Sequence, residues 1–222
     1  MSIGDECGWV QAGHQLSGTR VTPVAERAGY PEVLRSLAIE GAVIVELDLR
    51  DASAGDRLVA AAIARHGQLD GVVNAAGIVA FGSLEDLDDV IVEELFMVNV
   101  LGPLWLMRRL VPPLRAAHGF VVNVSAVVAE QPLPDMAVYS ATKAALTAAD
   151  SAGARVAARR HPCVRRPTPP HTETGLAGRA VAGHAPRLPV GLDPERVAER
   201  IVHAIERNEQ DVPSTAFTSP DG

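Results

Sequence analysis

The sequence predicts an α/β fold: a doubly wound parallel sheet with helices on both faces, built as one domain from residue 20 to residue 222. Two observations lead there. Strand-like runs recur at Ala42–Asp48, Leu69–Asn74 and Phe120–Val124, the first a β-branched run typical of a buried parallel strand. Longer segments with apolar residues at helical spacing lie between them. With 222 residues, 47% of them hydrophobic, the chain is long enough for one good-sized core.

Taken in order, residues 1–19 form an atypical leader. Gly8, Gly13 and Gly18 recur every five residues and no run of Val, Ile or Leu precedes them. Neither a first strand nor a glycine-rich, phosphate-cradling turn is legible there. Asp5 and Glu6, with no apolar stretch, argue against a signal peptide. A short strand is predicted over Arg20–Ala25, demoted toward an edge by Pro23. Glu32–Ile39 is a helix candidate that Gly41 stops. The strand over Ala42–Asp48 ends on a carboxylate, and a turn-capping or solvated role is one reading of Asp48. Asp56–His66 is the next helix, closed by Gly67. Leu87–Leu114 is long, apolar and helical in period, with Gly102-Pro103 as an interruption. Asn99 sits inside it, where an asparagine without a role only lowers helix propensity. After the Tyr139 helix the signal weakens. Arginines and Pro162 leave only a faint strand near Val164, and residues 175–190 read as a mobile loop rich in Gly, Ala and Pro. Asp193 as N-cap and Pro194 at the first position start a helix that runs to about Arg207, before a last strand near Asp211.

The chemistry is concentrated in Val138-Tyr139-Ser140-Ala141-Thr142-Lys143-Ala144-Ala145-Leu146. The run favours helix, and residues four apart share a helical face, so the Tyr139 phenol and the Lys143 ammonium project into one space. A free phenol titrates near pH 10, too high for proton transfer at neutral pH. A neighbouring cation favours the phenolate, which brings Tyr139 toward use as a general acid–base.

These residues resemble the catalytic helix of the short-chain dehydrogenase/reductase superfamily. Three further segments are similar to that family in the expected order: Leu69-Asp-Gly-Val-Val-Asn-Ala-Ala-Gly77, Val98-Asn99-Val-Leu-Gly102 and Phe120-Val-Val-Asn-Val-Ser125. The resemblance implies a Rossmann-like, three-layer fold whose first strand is missing or replaced here. It implies an NAD(P)-dependent oxidoreductase acting on an alcohol or carbonyl. Tyr139 would be the acid–base, Lys143 would lower its pKa and hold the nicotinamide ribose, and Asn99, in a locally disturbed helix, would place a relay water. A family serine lies thirteen residues before the tyrosine, where this chain has Ala126. Ser125, fourteen before, faces the other way if the segment is extended, and a one-residue bulge would be needed to present it. Asp48 would meet the adenine edge. Asn74, Ala75 and Gly77 would line the adenosine pocket, with Ala75 where the family carries a second asparagine. Thr174 would bind the nicotinamide amide, in a motif where Pro170 replaces glycine. Glu26 and Arg27 point opposite ways on NAD against NADP. The family analogy further implies a homodimer or homotetramer.

Other classes are disfavoured. A net charge of −7, no basic block and 4% aromatic content argue against nucleic acid. The seven histidines and two cysteines, Cys7 and Cys163, show no ligand or disulfide spacing, so no metal site and a reducing, cytoplasmic setting are expected. The most apolar stretch, Leu95–Met107, is shorter than the roughly 20 residues of a membrane span. The competing functional reading is a non-catalytic binding or assembly subunit that kept the scaffold and lost the cofactor, since a pyrophosphate without backbone donors at a helix N-terminus loses its main anchor.

Overall fold

The computed structural model describes residues 24–25, 45–153, 163–164, 178, 180–186, 194–209 and 211–217. The predicted leader, the helix candidate at Glu32–Ile39, Glu26, Arg27, Pro170 and Thr174 lie outside them. Six parallel strands are present among the described residues: β1 (Val24–Ala25), β2 (Val45–Glu46), β3 (Gly71–Asn74), β4 (Phe120–Val124), β5 (Cys163–Val164) and β6 (Asp211–Val212). β1 pairs with β2, and the other four form one sheet in the order β3-β4-β5-β6. Five α-helices accompany them among the same residues: α1 (Ala54–His66), α2 (Asp89–Phe96), α3 (Gly102–Ala116), α4 (Ala137–Gly153) and α5 (Pro194–Glu206).

Strand alternation makes the three layers. Val72 and Val121 face one side, where they pack with Leu58 of α1 and with Leu106, Leu110 and Leu114 of α3. Val122 and Val124 face the other, against Val197, Ile201 and Ala204 of α5. Leu47 and Leu49, just after β2, reach the first of these cores. The fold class is therefore the doubly wound parallel sheet that the alternation of strand and helix patterns implies. Among the described residues β3 pairs on one side only, with β4. Whether the leader supplies a first strand lies outside the described residues.

The structure corrects one expectation. The interruption in the long helix is not at Gly102-Pro103; the chain passes from α2 through a π-helical turn at Met97–Leu101 and straight into α3, with Pro103 in that helix's first turn. Proline has no N–H to carry the hydrogen-bond ladder on from the π-helical turn, and Gly102 is needed for contact, since a Cβ would overlap the Leu49 carbonyl. The resulting helical run, Asp89–Ala116, has 28 residues, long and apolar enough by length and composition to cross a membrane. It buries Asn99 and sends Leu106, Leu110 and Leu114 into the core, which is how a core helix behaves.

Part of residues 175–190, read as a mobile loop, is described. Within them, 180–183 lie alongside the chain after β3. The Val181 N–H donates to the Val79 carbonyl (2.8 Å), the Phe81 N–H donates to the Ala182 carbonyl (3.0 Å), and Ala80 and Ala182 form a parallel bridge. Periodicity cannot reveal such a strap, because its partner is distant in sequence and its own side chains are small.

Candidate active site

α4 begins just after the loop that follows β4 and lays Tyr139 and Lys143 against the ends of β3 and β4. Both side chains are buried, each 5% exposed. The Lys143 Nζ donates to the carbonyl of Val124, the last residue of β4, at 3.3 Å, and stands 5.8 Å from the Tyr139 ring centroid. The i, i+4 spacing thus brings cation and phenol together, and the end of β4 fixes the cation from the other side.

Asn99 joins them from the π-helical turn. It is fully buried, and its side chain brackets one residue of the β3–α2 loop: the Ile78 N–H donates to Oδ1 (2.9 Å), while Nδ2 donates to the Ile78 carbonyl (2.9 Å). Nδ2 also donates to Thr142 Oγ1 at 3.1 Å, and that hydroxyl donates to the Tyr139 carbonyl at 2.7 Å. Gly77 lies at the meeting point. A Cβ there would stand 3.2 Å from both Asn99 Oδ1 and Lys143 Nζ, tighter than ordinary packing, so glycine leaves a small gap with an oxygen on one side and an ammonium on the other.

The backbone decides between Ser125 and Ala126. Ala126 is extended (φ −146°, ψ 157°), so no bulge shifts the register and the two side chains leave the chain on opposite sides. Ser125 Oγ sits 3.1 Å from the Lys143 carbonyl and 2.8 Å from Thr147 Oγ1, bound to the helix backbone. Ala126 is the residue that packs into the cluster around Tyr139, with Ile78, Phe81, Val98, Val128 and Met136. The role expected of Ser125 at the substrate oxygen is not the one this geometry offers, and the position on the Tyr139 side carries only a methyl group.

The sequence profile of the short chain dehydrogenase family matches residues 16–183. The chain belongs to the short-chain dehydrogenase family. It is 32% identical over 180 residues to an uncharacterized oxidoreductase of Methylorubrum extorquens, covering 77% of this chain and 72% of that one. It is 34% identical over 102 residues to the trans-4-hydroxycyclohexanecarboxylate dehydrogenase of Sinomonas cyclohexanicum, 46% of this chain and 39% of that one. Among solved structures, a short-chain dehydrogenase from Streptomyces avermitilis superposes with a TM-score of 0.78 at 25% identity, over 97% of this chain and 87% of that one. A 3-ketoacyl-(acyl-carrier-protein) reductase from Brucella melitensis, complexed with NADH, superposes at 0.77 with 21% identity, over 96% and 94%, a likeness of fold.

The short-chain dehydrogenase pattern also locates the remaining expected residues. Asn74 and Asn123 face each other across β3 and β4 in register, and Asn74 Nδ2 donates to Asn123 Oδ1 at 3.0 Å inside the core. Ala75 packs on the opposite sheet face, beside Val122 and Val124. Asp48 is half-exposed and held by Arg50: the guanidinium donates to both carboxylate oxygens (2.7–3.1 Å) and the Arg50 N–H to Oδ1 (2.9 Å). The side-chain hydrogen bond from Arg50 is the main cause that lowers the Asp48 pKa below its ordinary 3.8. This is the turn-capping role weighed for Asp48 from sequence, with one face of the carboxylate still toward solvent. Thr142, Ile78 and the Val124 carbonyl were not singled out from sequence. Thr142 had a signal, since i+3 from Tyr139 is one helical turn away; the two backbone groups carry none.

Proposed function

We propose that this short-chain dehydrogenase is an NAD(P)-dependent oxidoreductase that interconverts an alcohol and a carbonyl, with Tyr139 and Lys143 as its acid–base pair. The observation that carries this reading is the convergence of Tyr139, Lys143 and Asn99 around Gly77, three elements meeting where helical spacing alone guarantees only two. The residues present suit a nicotinamide dinucleotide. The Gly77 backbone admits close approach and the Lys143 ammonium borders the same place, while Asn74 at the end of β3 and Ala75 just after it lead up to it. Lys143 would hold the cofactor from the ribose side, with Gly77 making room. Bound there, the nicotinamide supplies or takes up the hydride.

The chain's own residues handle the proton. Tyr139 gives one to the substrate oxygen in reduction and takes it back in oxidation, and the Lys143 cation beside the ring favours the phenolate that results. The wall of Ile78, Val79, Phe81, Val98 and Met136 limits water around that phenol. The descriptions of the relatives as oxidoreductases and dehydrogenases weigh for an enzyme over a non-catalytic subunit. Exposed Phe96, Leu101 and Leu104 on the long helical run are consistent with a homodimer or homotetramer. The test is Tyr139→Phe. We expect carbonyl reduction with NADH or NADPH to fall at least a hundredfold while cooperative unfolding stays close to that of the wild type; undiminished turnover would sink the mechanism.

A further inference from the structure

Thr142 lies between the acid–base pair in sequence and is fully buried. Its hydroxyl has one proton, and that proton goes to the Tyr139 carbonyl, 2.7 Å away. Only lone pairs remain for Asn99, so Asn99 must present its NH2 group, at 3.1 Å. With the amide so turned, Oδ1 faces the Ile78 N–H and Nδ2 the Ile78 carbonyl, each at 2.9 Å and each matched donor to acceptor. The reversed amide would set donor against donor at the Ile78 N–H and acceptor against acceptor at its carbonyl. The orientation has a consequence at Gly77: the group bordering the gap opposite the Lys143 ammonium is the amide oxygen.

We propose that Thr142 is a positioning residue for the acid–base pair: by donating to the Tyr139 carbonyl it leaves only lone pairs for Asn99, and so joins the Ile78 backbone in holding the amide with its oxygen toward the gap shared with Lys143. The oxygen's negative end favours the ammonium at that place, and the ammonium favours the Tyr139 phenolate. Without the hydroxyl the amide keeps only its two Ile78 bonds and one NH2 hydrogen is buried unpaired, so the oxygen is held less firmly opposite the cation and the phenolate is less favoured. The inference rests on the proposed role of Tyr139 and Lys143, and a phenolate titration that needs no turnover separates the two.

The variants are Thr142→Val, which keeps shape and β-branching but removes the hydroxyl, and Thr142→Ser, which restores it. The chain has two tyrosines, Tyr30 and Tyr139, so an absorbance titration of phenolate, with Tyr139→Phe subtracted, reads Tyr139 alone. We expect the Val variant to titrate at higher pH and to lose about tenfold in kcat, the change that one pKa unit represents, with KM within twofold and both effects reversed in the Ser variant. An unmoved titration in a folded Val variant, or a loss carried by KM, would overturn the proposal. So would rapid solvent exchange of the Asn99 side-chain amide hydrogens in the wild-type protein, a measurement that needs no variant to fold. A wild-type protein with no turnover but with the titration shift intact would sink the oxidoreductase reading and leave the positioning role supported.

Discussion

Replacing Asn99 by alanine should destabilise the protein far more than its place in a helix suggests. In a bare helix the change is favourable by roughly 0.5 kcal/mol, because alanine is the better helix former. Here the amide satisfies the N–H and the carbonyl of Ile78, a residue only 2% exposed. Alanine leaves both groups buried and unpaired, at about 1–3 kcal/mol each. Thr142 loses a donor but keeps its bond to the Tyr139 carbonyl, so it adds little. Taking about 2 kcal/mol for each Ile78 group and subtracting the helix gain leaves a loss of about 3.5 kcal/mol. With a urea slope of about 2 kcal/mol/M the midpoint should drop by roughly 1.75 M, and the melting temperature by roughly 7–14 °C for a domain of this size. Urea denaturation followed by far-UV circular dichroism reads this directly, provided the slope is unchanged. A loss under about 1 kcal/mol would refute the reasoning, because that is what a merely solvated asparagine contributes.

Gly183 has φ +70° and its missing Cβ would overlap the Phe81 carbonyl, so Gly183→Ala should cost about 1–3 kcal/mol and free the strap over the Tyr139 cluster. Hydrogen exchange at the Phe81 and Val181 amides should quicken while α4 stays protected; unchanged exchange at both would contradict the pairing. Asp48 is held below its ordinary 3.8 chiefly by the Arg50 side chain, so its contribution is present above that value and lost as pH falls through the lowered folded value. The pair is half-exposed, which keeps the effect within about 1 kcal/mol. Stability of Asp48→Asn should fall less steeply than wild type below pH 4, and parallel acid curves would show that Arg50 does not hold the carboxylate.

Much of this protein is legible in its residue pattern alone. The strands at Gly71–Asn74 and Phe120–Val124 each centre on a Val-Val pair, and helix α1 ends at Gly67, whose φ of +81° only glycine adopts freely. Pro194 is the first residue of α5, where the conformational limits of proline suit it. The Tyr139–Lys143 pair is legible for the same reason: it depends on one helix, so spacing fixes it. The opposite facing of Ser125 and Ala126 is legible as well, because an extended chain alternates its side chains.

What local pattern left open, tertiary structure decided. An extended Ala126 turned Ser125 onto the helix backbone at Lys143 and Thr147, which only the backbone angles could settle. The break in the long helix lies at Met97–Leu101, where the Asn99 side chain meets the Ile78 backbone, a partner twenty-one residues away. The strap at 180–183 follows the same rule. Sequence determines the interactions whose partners lie within one turn or one strand, since bond geometry sets them. Hydrogen bonds between distant segments are decided only when the core brings those segments together, and at this site they are what gathers a tyrosine and a lysine on one helix with Asn99 and Gly77 into one buried cluster.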